Sequence, residues 1–278
     1  MSMKKPQLGM SARKTVGNTV YHIFMVTLSV IMIYPFVWSL LSSFKSSEQL
    51  YGGNPLDLWP RPFTMENYER LFQVLPFDKF TVNSVFLSVA MPLCMIAVAS
   101  LTAYALTRLE FRGKNVVFML FLSTMMIPIT VRLIPSYALC KQLNLLNTYT
   151  GMILPQVAWS IPFGTFLMRQ FYSGVPRQLD EAAKIDGANH LQIFTRIVVP
   201  QTVSAMTTLG IYTFISAWNN LIWILLVVSN KTKWTITLGI SSICGASVIK
   251  QPLWNLIMCV IVIGILPVLI LYFVFQKY

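Results

Sequence analysis

Hydrophobic residues in this chain come in long blocks separated by short charged segments. Six intervals contain no Asp, Glu, Lys or Arg: 15–44, 80–107, 115–131, 142–168, 197–230 and 251–276. A membrane-spanning helix needs about 20 apolar residues, because the hydrocarbon core is about 30 Å thick. A charge at mid-membrane is costly, so charge-free length is the natural measure of a span. The third interval is short, but its apolar character continues past Arg132 to Cys140. The pattern predicts an all-α membrane protein with six spans, near 20–42, 80–107, 115–138, 145–168, 198–228 and 252–275, behind a tail at 1–14. A seventh candidate, 234–249, mixes Ser, Thr and Gly with Ile. It is too short and too polar to span and reads as a loop or re-entrant segment.

Composition agrees. Of 278 residues, 55% are hydrophobic and 11% charged, against about 25% charged in a soluble domain. Mean hydropathy is +0.64. These values exclude an ordinary cytosolic enzyme, a disordered tail and a secreted disulfide scaffold. The net charge of +12 is spread in small groups between the apolar blocks. That distribution fits loop charge and lipid headgroup contact, not nucleic-acid binding. Cys94, Cys140, Cys244 and Cys259 are far apart, with no C-x-x-C pair. Lys4, Lys5, Arg13 and Lys14 precede the first span, but the apolar run at 20–41 exceeds a signal-peptide core of about 7–15 residues. It reads as a retained helix. Six spans place both termini on one side. If that side is the cytoplasm, the inner segments hold 12 of the 21 Lys and Arg, the expected bias. The outer segment at 45–79 carries five acids and is long enough for a small cap.

No catalytic set is legible. The two histidines, His22 and His190, are far apart, and no G-x-x-x-x-G-K-[ST] loop is present to cradle nucleotide phosphates. The nine acids all fall outside the spans. An ion-coupled carrier usually keeps an ionisable group at membrane depth, which disfavours a secondary transporter. The expectation is a non-enzymatic chain with no catalytic, metal or cofactor-binding residues.

The segment between the fourth and fifth spans is the informative one. Pro176 suits a first helical turn, and Asp180 and Glu181 sit early, where the helix dipole favours anions. Gly187 can take a positive φ and end the helix. Asn189 can cap a second helix through Leu191, Phe194 and Arg196. Leu179, Ala182, Ala183 and Asp186 share i, i+3, i+4, i+7 spacing, and the two alanines make a narrow face that another protein can approach closely. Periodicity alone leaves a partner-binding helix and an amphipathic linker on the headgroups equally open.

Residue order separates them. Glu181-Ala182-Ala183, then Gly187, Ile197 and Val199-Pro200 resemble the EAA loop of ABC importer permeases, with Val199 where the family usually has Leu. Ser43-Phe44-Lys45, Glu66-Asn67-Tyr68, Asn83-Ser84, Ala103-Tyr104-Ala105-Leu106 and Phe111-Arg112-Gly113 look like family landmarks. Ile185-Asp186-Gly187-Ala188 and Trp218-Asn219-Asn220 resemble those of the carbohydrate-uptake, maltose-permease-like branch. Relatives often continue with a Gly-rich tail past the position of Gln276, whereas this sequence ends at Tyr278.

The resemblance implies a type I ABC importer permease fold in a bacterial cytoplasmic membrane, with an EAA loop at 174–200 and a coupling helix at 176–187. It implies a related sister permease, two cytoplasmic ATPase subunits that hold ATP and Mg, and an external solute-binding protein. Leu179 to Ala183, Ile185, Asp186, Gly187 and Ala188 would meet the ATPase, with Glu181 against a basic residue there. Trp218, Asn219 and Asn220 suit either sugar contact or helix-to-helix bonding. Arg132 suits either an anionic group or snorkelling to the headgroups. Pro128, Pro155 and Pro162 are expected to kink spans. The solute is expected to be a sugar or oligosaccharide. A solitary carrier or channel for a small polar solute is the alternative.

Overall fold

The computed structural model describes residues 8–54, 57–246 and 254–276. The first seven residues of the expected tail, 247–249 of the polar segment and the first residues of the sixth span lie outside them. Every regular element among the described residues is helical. They are α1 (Leu8–Ser42), α2 (Ser47–Gly52), α3 (Glu66–Val74), α4 (Phe77–Arg108), α5 (Lys114–Met125), α6 (Ile129–Gln142), α7 (Tyr149–Gly174) and α8 (Arg177–Ile185). Then come α9 (His190–Ile193), a π-helical turn (Phe194–Val198), α10 (Val199–Gln201), α11 (Val203–Trp218), α12 (Ile222–Val227), a 3-10 turn (Lys231–Lys233), α13 (Ile236–Ala246) and α14 (Trp254–Phe275).

The chain divides into two compact units. One runs up to Leu71 and takes in the start of α14 as far as Ile263; the other comprises the remainder. In the first, the Ser43-Phe44-Lys45 and Glu66-Asn67-Tyr68 landmarks meet. The buried Asn67 amide donates to the carbonyls of Ser43 (2.9 Å) and Lys45 (2.8 Å) and accepts from Asn255 Nδ2 (2.8 Å). Ser43 Oγ and Tyr68 Oη lie 2.9 Å apart, and Lys45 Nζ donates to Asp57 O at 2.6 Å. A buried amide is costly unless bonded, so this hub closes the chain after α1.

The second unit is built on α4, α7 and α11. Met95, Ala99, Ala103 and Tyr104 of α4 meet Met168 and Tyr172 of α7 and Ala205 and Leu209 of α11 in one buried cluster. Gly164 lets α7 approach: a Cβ there would collide with Met95 Cε and stand 2.9 Å from the Ala99 methyl. A second cluster joins Leu87, Cys140, Met152, Trp223, Val227 and Leu238.

Among the described residues, four helices are long and apolar enough to span: Gly17–Ser42, Phe77–Arg108, Tyr149–Gly174 and Trp254–Phe275. The other two expected spans are broken. The third divides into α5 and α6, which meet at 102°. Pro128 has no N–H to continue the ladder, and its ring pushes Ile127 out of helical geometry. The fifth is interrupted after Trp218. Asn219 Nδ2 takes the Ile215 carbonyl at 3.0 Å, and Asn220 Oδ1 accepts the Trp223 N–H at 3.3 Å. These amides offer the backbone an alternative to the helix ladder. The remaining α11, 16 residues and about 24 Å long, falls short of the hydrocarbon thickness. Pro155 and Pro162 stay within a continuous α7.

The polar segment at 234–249 is not a loop where it is described. Ile236–Ala246 is helical, about 16 Å long and too short to span. Its first turn is bonded from a distance: Ser84 Oγ of α4 accepts the Ile236 N–H at 2.8 Å. Gly239 seats on the Phe80 ring, where a Cβ would come within 2.7 Å.

Candidate functional site

The segment after α7 is held from inside by one arginine. Arg108, in the last turn of α4, donates to the carbonyls of Tyr172 (3.0 Å) and Val175 (2.7 Å) at the end of α7. Its other terminal nitrogen stands 3.3 Å from Asp180 Oδ2 of α8. Those side chains are 4% and 12% exposed, and this is the one ion pair among the described residues. Two helix C-termini bring partial negative charge to a cation, so the arginine serves both dipoles and a carboxylate.

Pro176 sits just before α8, at the N-cap position (φ −59°, ψ 131°), not within its first turn. The exit is a Schellman motif. Gly187 has φ +81°, its N–H donates to Lys184 O at 3.0 Å, and the Ala188 N–H reaches Ala183 O at 2.9 Å. Asn189 and Gln192 then form a reciprocal capping box that starts α9. The π turn that follows ends two residues before Pro200, which removes an N–H from the ladder; it was not legible from periodicity.

The predicted docking face of α8 needs correction. Asp180 and Ala183 point inward, Asp180 to Arg108 and Ala183 onto the α4–α7–α11 cluster. Ala188 packs there too. The outer surface is formed by Leu179, Glu181, Ala182, Ile185, Asp186 and Gly187. Leu179 is 41% and Ile185 88% exposed. One inward face per turn anchors the helix, and the others are left free.

The residues singled out in the fifth span separate. Trp218 is buried and donates from its indole to Gly264 O at 3.0 Å; it packs helices and does not reach the nearby cavity. Asn219 and Asn220 do line that cavity, of ≈ 580 Å³, with Arg132, Gln156, Trp159 and Ser160. The helix breaks before α6 and after α11 border it. The Arg132 guanidinium lies 5.7 Å from the centre of the Trp159 ring. Trp159 in turn meets Trp223 edge-on at 4.9 Å. Gln156 and Trp159 carried no sequence signal, because α7 is apolar around most of its circumference. Neither did Arg108, whose partner lies in another helix.

The family described as "Binding-protein-dependent transport system inner membrane component" matches residues 95–278. The chain belongs to this family. The permease is 33% identical over 258 residues to the arabinooligosaccharides transport system permease of Bacillus subtilis, covering 92% of this chain and 90% of that one. It is 30% identical over 256 residues to the diacetylchitobiose uptake system permease of Streptomyces coelicolor, covering 92% and 84%. A crystal structure of a bacterial ABC transporter that imports alginate contains a chain of the same fold. The TM-score is 0.81 at 22% identity, over 100% of the permease and 99% of that chain. The fold is therefore that of an ABC importer permease, a multi-pass inner-membrane subunit.

Proposed function

We propose that the permease supplies one half of a saccharide path through the membrane and is driven by separate ATPase subunits. ATP and Mg act on those subunits, and this chain contributes no catalytic, cofactor or metal-binding residue. A related sister permease completes the path, and an external binding protein delivers the solute. Both termini face the cytoplasm, which puts α8 on the ATPase side.

The observation that carries this reading is the construction of α8. It is clamped by Arg108 on its inner side while Leu179 and Ile185 project outward. Apolar side chains held outward on a short, internally anchored helix suit insertion into a cleft of another protein. Movement of α8 would be passed through Arg108 to α4 and α7, which form the core of the second unit. Glu181 would meet a basic group of the ATPase, and Gly187 sets the angle at which the chain leaves. The saccharide class is supported by the names of the relatives and by an aromatic face beside two asparagines in the cavity, which suits sugar hydroxyls and C–H faces.

The test is uptake into liposomes with each component left out in turn. Transport is expected only when this permease, the sister permease, the ATPase and the solute-loaded binding protein are all present. Solute movement by this chain alone would overturn the proposal in favour of a solitary carrier.

A further inference from the structure

We infer that the cavity beside Arg132 is a subsite for an acidic group on the solute, so that the imported saccharide bears a carboxylate, sulfonate or phosphate. This rests on the importer reading above and narrows it.

The inference comes from accounting for the polar groups of the cavity. Ser160 Oγ donates to Gln156 O at 2.9 Å, Thr213 Oγ1 to Leu209 O at 2.8 Å and Asn219 Nδ2 to Ile215 O at 3.0 Å. The hydroxyl donors and one Asn219 amide N–H are spent on their own helices, which leaves the hydroxyls only acceptor capacity toward the cavity. The Asn220 amide is oriented by its Oδ1, which accepts the Trp223 N–H at 3.3 Å. Its Nδ2 therefore donates to Gln156 Oε1. That in turn fixes the Gln156 amide with Nε2 turned away from Asn220. Gln156 is only 7% exposed, and Nε2 has no partner.

Arg132 is half-buried. Its Nε is buried without a hydrogen-bond partner among the described residues, and its guanidinium stands over the Trp159 ring. Among the described residues no Asp or Glu lines the cavity. A guanidinium cannot shed its proton, so a neutral form is not available to relieve the burial. Buried donors without acceptors are costly, and each of these residues carries one, Gln156 Nε2 and Arg132 Nε. An anionic oxygen group in the cavity compensates the guanidinium charge, and a guanidinium is suited to bind it through two parallel hydrogen bonds. A neutral sugar hydroxyl would satisfy the amide but leave the charge uncompensated. Trp159 then has two uses, as a face for a sugar ring and as a backing plate for the cation.

The assembled transporter, with its sister permease and ATPase subunits in nanodiscs, is titrated by saturation-transfer NMR with glucuronate and with glucose. Glucuronate is expected to bind at least about 10-fold more tightly than glucose. Arg132→Gln should reduce the preference to within about twofold, and Arg132→Lys, which keeps the charge without the fork, should leave an intermediate value. Lys141→Gln removes a charge from the same helix outside the cavity and should leave the preference unchanged. Equal binding of both probes, no glucuronate binding, or a preference that survives Arg132→Gln overturns the inference. So does loss of the sister permease on purification of Arg132→Gln in the absence of any preference, which would assign the arginine to an ion pair between subunits. Binding-protein-stimulated ATP hydrolysis by the same preparation separates the two readings. If stimulation is present and the preference absent, only the acidic-solute inference falls; without stimulation the importer reading itself falls.

Discussion

Arg108→Met removes the cation that ties α8 to the membrane helices. The charges are 3.3 Å apart and nearly buried. At an effective dielectric constant of about 20 their attraction is about 5 kcal/mol. The measurable cost of deleting one partner is of order 3–5 kcal/mol, because Asp180 is left buried and uncompensated. The carbonyls of Tyr172 and Val175 lose a donor as well. The loss falls on α8, which is short and has few other inward contacts. At about 1.4 kcal/mol per decade, local opening should rise about 100-fold or more. Amide hydrogen exchange over Arg177–Ile185 in the purified complex reads this directly, and binding-protein-stimulated ATP hydrolysis should become uncoupled from uptake. Arg108→Met combined with Asp180→Leu should recover part of the protection, since a neutral apolar pair avoids the stranded charge. Unchanged exchange in Arg108→Met, or a double variant worse than the single, would refute the clamp.

Gly187→Val should stop uptake without lowering permease abundance on a membrane immunoblot, because left-handed backbone costs an L residue about 1–2 kcal/mol and a β-branched one more. Gly187→Asn, which tolerates that conformation, should retain most uptake, and equal activity of both variants would exclude a backbone role. Glu181→Lys should leave α8 folded by the exchange criterion yet abolish coupled uptake, and normal transport would remove Glu181 from the ATPase contact. Gly164→Val should lower thermal stability in detergent by about 1–3 kcal/mol through the clash with Ala99, and an unchanged melting curve would contradict the close α4–α7 approach. In cells, a cysteine replacing Asn54 should react with an external impermeant thiol reagent and one replacing Ala188 should not; the reverse pattern would invert the topology.

Much of this protein follows from local properties that a linear sequence carries. Charge-free length marks a span, because a charge in hydrocarbon is costly wherever it sits. Gly187 announced the end of α8 and Asn189 the start of α9, because capping uses bonds between residues three to five apart. The order of Glu181, Ala182, Ala183 and Gly187 pointed to the family. Tertiary structure decided the rest. Whether an interval between charges is one helix or two depends on how Pro128 and the amides of Asn219 and Asn220 spend their hydrogen bonds, and hydropathy does not register that choice. Helicity at Ile236–Ala246 rests on a cap from Ser84, far away in the chain. The inward turn of Ala183 follows from Asp180 finding Arg108. Trp218, Asn219 and Asn220 are adjacent in sequence, yet the indole packs against another helix while the amides open onto the cavity. That cavity gathers Arg132 and Gln156 from two helices and Asn220 from the break between α11 and α12. Its unspent donors are a property of the assembled set, because a donor is left over only after every neighbour's acceptor has been assigned.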